Sequence, residues 1–209
     1  MRAWIRRLWN TFRKPSARWG AGTLVVLGLI AGAIGWGGFE AYVASTSTLP
    51  FCTSCHEMQA FVYEEYKKTP HYTNASGVRA ICADCHVPHA LGPKLWRKFQ
   101  ATTNEIPNHI LGSIDTKEKF EAHRAVMAQH VWDAMKANDS RECRSCHSRE
   151  AMVLAEQKPR ARAQHEDALK TGETCIDCHK GIAHQLPAQA QAKEKDKTEE
   201  PQAEDDFAL

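Results

Sequence analysis

The sequence predicts a mainly α-helical protein with one N-terminal transmembrane helix and a small exported domain whose core is not made of side chains alone. An uncharged run of twenty residues, 20–39, precedes the exported segment 40–187. That segment holds 24 Leu, Ile, Val and Phe among its 148 residues. This is about 16%, below the roughly 20% that usually accompanies a self-sufficient core. All eight cysteines lie there too, in four copies of one pentapeptide. A component other than side chains must therefore fill the interior of the exported domain.

The run 20–39 is long enough to cross a bilayer, because twenty residues at about 1.5 Å each span about 30 Å. A cleaved signal peptide is the alternative, but its apolar region is normally about 7 to 15 residues long. Trp19 and Trp36 stand near the two ends of the run, as in an aromatic belt. Basic residues precede it, so the positive-inside rule places residues 1–19 in the cytoplasm and the rest across the membrane.

The charge balance excludes a strongly basic nucleic-acid-binding protein, since 27 basic residues face 25 acidic ones. Six of the basic residues and no acidic one lie within 1–39, which leaves 21 basic against 25 acidic residues beyond. The last segment, 188–209, is rich in acidic residues and is predicted to be a disordered tail. Gly28 and Gly32 form a GxxxG spacing that weakly supports a homodimer.

The pentapeptide is C-x-x-C-H, the attachment signal for c-type haem. Two thiols three positions apart reach the two vinyl groups of one porphyrin, and the adjacent histidine becomes the proximal iron ligand. Structural zinc and redox sites also use C-x-x-C. Four copies, each followed by histidine and with no cysteine spare, favour four covalent haems instead. The copies are Cys52–Cys55–His56, Cys82–Cys85–His86, Cys143–Cys146–His147 and Cys175–Cys178–His179.

The four motifs form two pairs, which predicts a domain of two two-haem units. The first cysteines are 30 residues apart in one pair and 32 in the other. His71 precedes Cys82 by 11 residues, and His165 precedes Cys175 by 10. These two histidines are therefore predicted distal ligands, as is His184, which follows the turn-forming Gly181.

Four haem irons have eight axial ligand positions, of which the motif histidines supply four. Three distal histidines therefore leave one iron without a distal ligand. The first motif continues to Met58, whose thioether could compete with His56 or replace it, although methionine also serves as plain packing. His123 and His130 are further candidates. Both lie in a predicted helix, 117–137, with a capping box of Asp115 and Glu118. His89 is too near His86 to reach the far side of the same haem.

A second helix is predicted over 88–106, after the second motif. Lys98 and Glu105 are seven residues apart in it, hence on one face. A lysine that holds a quinol oxygen and a carboxylate that accepts its proton would suit quinol oxidation. An ordinary solvated helix face explains the spacing equally well. Asp84, Glu57 and Lys94 are competing candidates.

The chain resembles the NapC/NirT family (also grouped as NapC/NrfH) of membrane-anchored tetrahaem cytochromes c, nearest to the NapC type. The resemblance is carried by CTSCHEM, PHYTNASGVRAICADCHVPH, SIDTKEKFEAHR, MKANDSRECRSCHS and CIDCHKGIAHQLP. It implies oxidation of membrane quinol, menaquinol or ubiquinol, and electron transfer to a periplasmic reductase, for the NapC type the periplasmic nitrate reductase. It also implies distal ligation by His71, His165 and His184, a ligand role for Met58, and a quinol site at Lys98 and Glu105.

The leading hypothesis is thus a quinol-oxidising electron relay in a bacterial inner membrane, with the haem domain in the periplasm. The alternative is a terminal multihaem reductase of nitrite or another small oxidant. A redox-sensor role ranks third, because no signalling domain accompanies the haem motifs. The sequence leaves open the quinol type, the partner reductase, the oligomeric state and the pairing of distal ligands with haems.

Overall fold

The computed structural model describes residues 2–13, 19–188 and 190–191, and these form helices and loops without a strand. The predicted mainly α class is therefore confirmed. The chain divides into two compact units, Met1–Thr46 and Ser47–Leu209. The α-helices are α1 Arg2–Arg13, α2 Ala21–Ser45, α3 Leu49–Cys52, α4 Glu64–Tyr66, α5 Cys82–His86, α6 Leu91–Gln100, α7 Ile106–Ile110, α8 Lys117–Ala137, α9 Arg141–Arg144, α10 Pro159–Thr171 and α11 Cys175–Cys178. Two π-helical segments, Met58–Tyr63 and Ala101–Glu105, and a 3-10 turn, Leu154–Glu156, complete them.

Helix α2 covers the predicted membrane span except its first residue, Gly20, and continues six residues beyond position 39. No glycine or proline interrupts the chain between 40 and 45. The helix ends where Thr46 turns its backbone N–H and its hydroxyl to the carbonyl of Tyr42, at 3.1 and 2.9 Å. Gly22–Ser45 is long and apolar enough to cross a membrane. The unit boundary accordingly lies after Thr46. The predicted tail lies outside the described residues, apart from its first few positions.

The motif helices repeat in pairs, as the spacing suggested. In the second and fourth motifs the residue before the second cysteine is aspartate, and it accepts from the backbone N–H that precedes the motif. Asp84 accepts from Ile81 at 2.7 Å, and Asp177 from Thr174 at 2.9 Å. In the first and third motifs the same position is serine, which donates to the carbonyl before the first cysteine, at 2.7 and 2.6 Å. Each half thus contains one serine-type and one aspartate-type turn.

Helix α8 spans Lys117–Ala137, which confirms the predicted bounds. Its N-cap is Thr116, whose hydroxyl accepts from the backbone N–H of Lys119 at 3.3 Å. The predicted capping box of Asp115 and Glu118 is therefore wrong. Thr116 directly precedes the first helical residue, and Asp115 instead pairs with the Lys119 ammonium at 2.8 Å. The N-cap residue must directly precede the helix, because only a side chain at that position reaches the backbone N–H of the third helical residue.

Few side chains are buried in the second unit. Among its described residues the buried hydrophobic ones are Tyr66, Ala83, Phe120 and Ile176, and as many polar ones are buried: Glu57, Arg124, Ser140 and Glu142. Phe120 stacks obliquely on Phe61, with ring centroids 5.1 Å apart. Such a core is too small for a domain of this length. The expectation of a non-protein core thus agrees with the packing.

The segment after the second motif is helical from Leu91 to Ile110 rather than over 88–106, and is called the α6–α7 segment. A π-helical stretch interrupts it at Ala101–Glu105. A π turn holds more residues than an α turn, because its bonds close at i+5 instead of i+4. Glu105 therefore lines up with Arg97, eight residues earlier, and pairs with it at 2.5 Å.

Candidate haem centres

Four pairs of histidine rings face each other in the second unit, and each pair joins one motif histidine to one histidine from elsewhere. We number the centres by motif. The ring centroids are 6.0 Å apart for His56 and His109 in centre 1, 6.2 Å for His86 and His184 in centre 2, 6.3 Å for His147 and His71 in centre 3, and 6.0 Å for His179 and His165 in centre 4.

These separations fit an iron held between two imidazoles. A metal–nitrogen bond of about 2 Å on either side, the length known for imidazole on zinc, requires ring centroids about 6 Å apart. At a metal-bound histidine the second ring nitrogen commonly has its own partner, and His165 Nδ1 lies 2.6 Å from Gln157 Oε1. His71 Nδ1 is buried with no hydrogen-bond partner. The donor set and the thin side-chain core both fit haem.

The histidine pairs of centres 2 and 3 join residues from the two halves of the chain. His165 faces the motif that follows it directly, whereas the matching His71 faces the third motif, not the second. His184 folds back onto the second motif after Gly181, which adopts a left-handed φ of +73°. The three predicted distal histidines are thus each brought opposite a motif histidine, but the equal spacing in sequence does not carry over to equal partners.

Centre 1 contains a histidine that the sequence did not single out. His109, in α7, lies opposite His56, and both contact the carboxylate of Glu57. His109 Nδ1 is 2.7 Å from Glu57 Oε1, and His56 Nδ1 is 3.5 Å from Glu57 Oε2. His56 Nε2 lies 3.2 Å from the backbone carbonyl of Asp115. Only the count of axial positions could have indicated a fourth distal histidine, since His109 has no counterpart in the repeat.

The other candidates lie elsewhere. Met58 is half-buried at the start of the first π-helical segment. His123 and His130 are exposed on α8, and His123 Nδ1 is 2.9 Å from the carbonyl of Lys119 in its own helix. His89 is exposed as well.

The environment keeps the imidazoles of centre 2 neutral, which is the form that binds a metal. Burial, and then the neighbouring His184, lower the pKa of His86 to about 4. Burial also lowers the pKa of His184. Both rings are thus ready to act as ligands at neutral pH.

The four motifs contact one another in chain order. Helix α3 of the first motif packs against α5 of the second motif. Helix α5 packs in turn against α9 of the third motif. The third and fourth motifs are joined by the backbone N–H of Ile176, which donates to the buried hydroxyl of Ser140 at 3.1 Å. No disulfide joins any of the eight cysteines.

Lys98 and Glu105 both lie near the first motif, since their charges act in opposite directions on the pKa of the Cys52 thiol. Lys98 is half-buried, and burial lowers its pKa. Of the competing candidates, Asp84 caps the second motif helix, and Glu57 is held in centre 1. Lys94 lies close enough to Lys98 to lower its pKa further.

One transmembrane-length helix joined to a domain of cysteine-tethering motifs and paired histidines defines the class of membrane-anchored c-type cytochromes. Residues 14–189 match the family described as the NapC/NirT cytochrome c family, N-terminal region. The chain belongs to this family. It therefore binds haem c covalently.

Characterised relatives match over most of the chain. The cytochrome c-type protein NapC of Escherichia coli K12 is 52% identical over 183 residues, 88% of this chain and 90% of its own. The denitrification system component NirT of Stutzerimonas stutzeri is 53% identical over 175 residues, 84% of this chain and 87% of its own. NapC of Paracoccus pantotrophus is 51% identical over 180 residues, 86% of this chain and 76% of its own. No solved structure matches the chain significantly.

Proposed function

We propose that this cytochrome carries four haem c groups and relays electrons from membrane quinol to a periplasmic reductase, with periplasmic nitrate reductase as the partner. The observation that carries the proposal is the set of four histidine pairs at 6.0–6.3 Å, on motifs that contact one another in order. The resemblance of the chain to NapC proteins supports the choice of partner.

The residues have defined tasks in this proposal. Each cysteine pair tethers one porphyrin, and each histidine pair holds one iron. At centre 1 we favour His56 over Met58 as the motif-side ligand and His109 as the distal ligand, because the two imidazole rings lie opposite each other. Bound haem c supplies reversible one-electron transfer. Ligands on both sides leave a centre no open position for a small oxidant, which favours the relay over a terminal nitrite reductase.

Quinol oxidation also releases two protons, and residues beside the first motif can handle them. We infer that Lys98 donates a hydrogen bond to one oxygen of menaquinol or ubiquinol, and that the Glu105 carboxylate accepts a proton. Arg97 fixes that carboxylate from the side. Centre 1 belongs to the motif that follows α2 by only a few residues, so a lipid-soluble substrate has a short route to it.

The membrane arrangement follows the charge pattern. We propose an inner-membrane protein with a cytoplasmic N-terminus and a periplasmic haem domain. A homodimer through α2 is compatible with Gly28 and Gly32, where an added Cβ would meet no atom within 4 Å.

The test is anaerobic reduction of the full-length haem-loaded protein by a quinol analogue. Lys98→Ala and Glu105→Ala should each abolish haem reduction by quinol and leave reduction by dithionite intact. Lys170→Ala, at an exposed position of α10, serves as the matched control. Reoxidation of the reduced protein by nitrate with the nitrate reductase, but not by nitrite alone, would support the relay. Quinol reduction that survives both substitutions would contradict the quinol site.

A further inference from the structure

The α6–α7 segment carries a dense group of exposed apolar side chains. Six large hydrophobic residues are exposed within 91–111, whereas the described remainder of 47–188 also has six, over about 120 positions. Trp96 and Phe99 stack with ring centroids 5.5 Å apart and are 61% and 57% exposed. Ile110 and Leu111 are 76% and 77% exposed. A concentration of exposed apolar side chains on a folded domain indicates an interaction site.

The charges of the same segment identify the kind of surface that it meets. Within 91–111 the sequence holds Lys94, Arg97 and Lys98 against a single acid, Glu105, whereas the rest of 40–187 holds 15 basic and 17 acidic residues. The segment therefore carries a net positive charge in a domain whose remainder is slightly acidic. Tryptophan, phenylalanine and isoleucine beside lysine and arginine are typical of a helix that lies in the plane of a bilayer and binds anionic headgroups.

The membrane anchor makes such binding favourable. Because α2 tethers the domain to a bilayer, contact of a second element with that bilayer is intramolecular and benefits from a high effective concentration. Weak interfacial binding, insufficient for an untethered protein, is then enough. The π-helical stretch Ala101–Glu105 changes the helical register. The side chains of α7 are therefore rotated about the helix axis relative to those of α6.

We propose that the α6–α7 segment docks on the anionic surface of the same bilayer that α2 crosses, with Trp96, Phe99 and Ile110 in the interface and Lys94 on the headgroups. This second attachment holds the segment that carries Lys98 and His109 at the membrane surface.

The proposal can be tested by spin labels on the full-length haem-loaded protein in nanodiscs with one copy per disc. Trp96→Cys and Ile110→Cys each add a single thiol, because the native cysteines are expected to be consumed by haem attachment; the parent protein checks for background labelling. Leu169→Cys, at an apolar residue of α10 that is 56% exposed, is the matched control.

In discs containing phosphatidylglycerol, labels at 96 and 110 should lose accessibility to a water-soluble nickel complex and keep accessibility to oxygen, while the label at 169 stays accessible to nickel. The protection should weaken in phosphatidylcholine discs and with Lys94→Glu. Nickel accessibility equal to that of the control would overturn the proposal. Protection that arises only in discs with two copies would overturn it in favour of a second protein chain as the occupant. Equal protection in both lipids and in Lys94→Glu would overturn the assigned role of the basic residues.

Discussion

Glu57 illustrates how a single residue organises a centre. It is 1% exposed and contacts both histidines of centre 1. Burial acts to raise the pKa of this carboxyl, but hydrogen bonds from its own backbone and from His109 outweigh burial and lower it. A carboxylate that accepts from a ring N–H fixes the orientation and tautomer of the histidine. In sequence, Glu57 was only a competitor for the quinol site, because nothing local shows that His109 lies beside it.

Gly181 provides a residue-scale prediction. Its φ of +73° strains any L-residue by about 1–2 kcal/mol, and an added Cβ would lie 2.9 Å from Leu186 Cγ. Gly181→Ala should therefore destabilise the protein and pull His184 away from His86. The measurements are the denaturant midpoint and the low-spin spectrum of centre 2.

Gly172 offers the control, since its φ is +76° but an added Cβ meets nothing within 4 Å. Gly172→Ala should show the backbone strain alone and leave the haem spectrum unchanged. Equal effects of the two substitutions would contradict the role of the Leu186 contact.

At the scale of elements, the short motif helices depend on contacts between them. Ser140 is fully buried just before α9, and its hydroxyl accepts the N–H of Ile176 in α11 at 3.1 Å. Ser140→Ala should cost about 1–3 kcal/mol, because it leaves a buried N–H without an acceptor. Chemical denaturation measures this cost. Ser148→Ala, at an exposed position, should change the midpoint little; a comparable loss there would argue against the link between the motifs.

Helix α8 is tied to the C-terminal end of the haem domain by Arg124. Its guanidinium pairs with Glu65 at 2.6 Å and donates to the carbonyl of Gln185 at 3.1 Å, next to His184. The Arg124 and Glu65 side chains are 8% and 11% exposed. Arg124→Met should destabilise by about 3–5 kcal/mol, since it leaves Glu65 as a buried unpaired charge.

An exposed ion pair at the N-terminal end of the same helix gives the comparison. Lys119 and Asp115 are 51% and 40% exposed, so Lys119→Met should change the stability much less than Arg124→Met. Thermal unfolding of the two variants under one set of conditions makes the comparison. Similar losses would show that burial does not govern the Arg124 contact.

At the scale of the whole molecule, the four centres form a sequence from the motif after α2 to the last motif. If each iron is held by two histidines, the reduced protein should bind no carbon monoxide. His109→Ala should open one position and produce carbon monoxide binding at one haem per chain. His89→Ala, at an exposed histidine outside the four pairs, should not. The carbon monoxide difference spectrum is the measurement. Binding in Met58→Leu but not in His109→Ala would instead show that Met58, and not His109, is a ligand of the iron in centre 1.

The family, the four C-x-x-C-H motifs, a helix long enough to span a membrane and the bounds of α8 could all be predicted from the sequence. These features are local, because a pentapeptide, an apolar run or a capped amphipathic helix is defined by neighbouring residues. Tertiary structure decided which histidine faces which motif, that His109 rather than an α8 histidine lies opposite His56, and that Arg97 pairs with Glu105. Such choices join residues far apart in the chain or depend on a π-helical shift of register. The periodicity of the sequence indicates neither, since it assumes regular α-helical spacing and carries no information on which separate elements pack together.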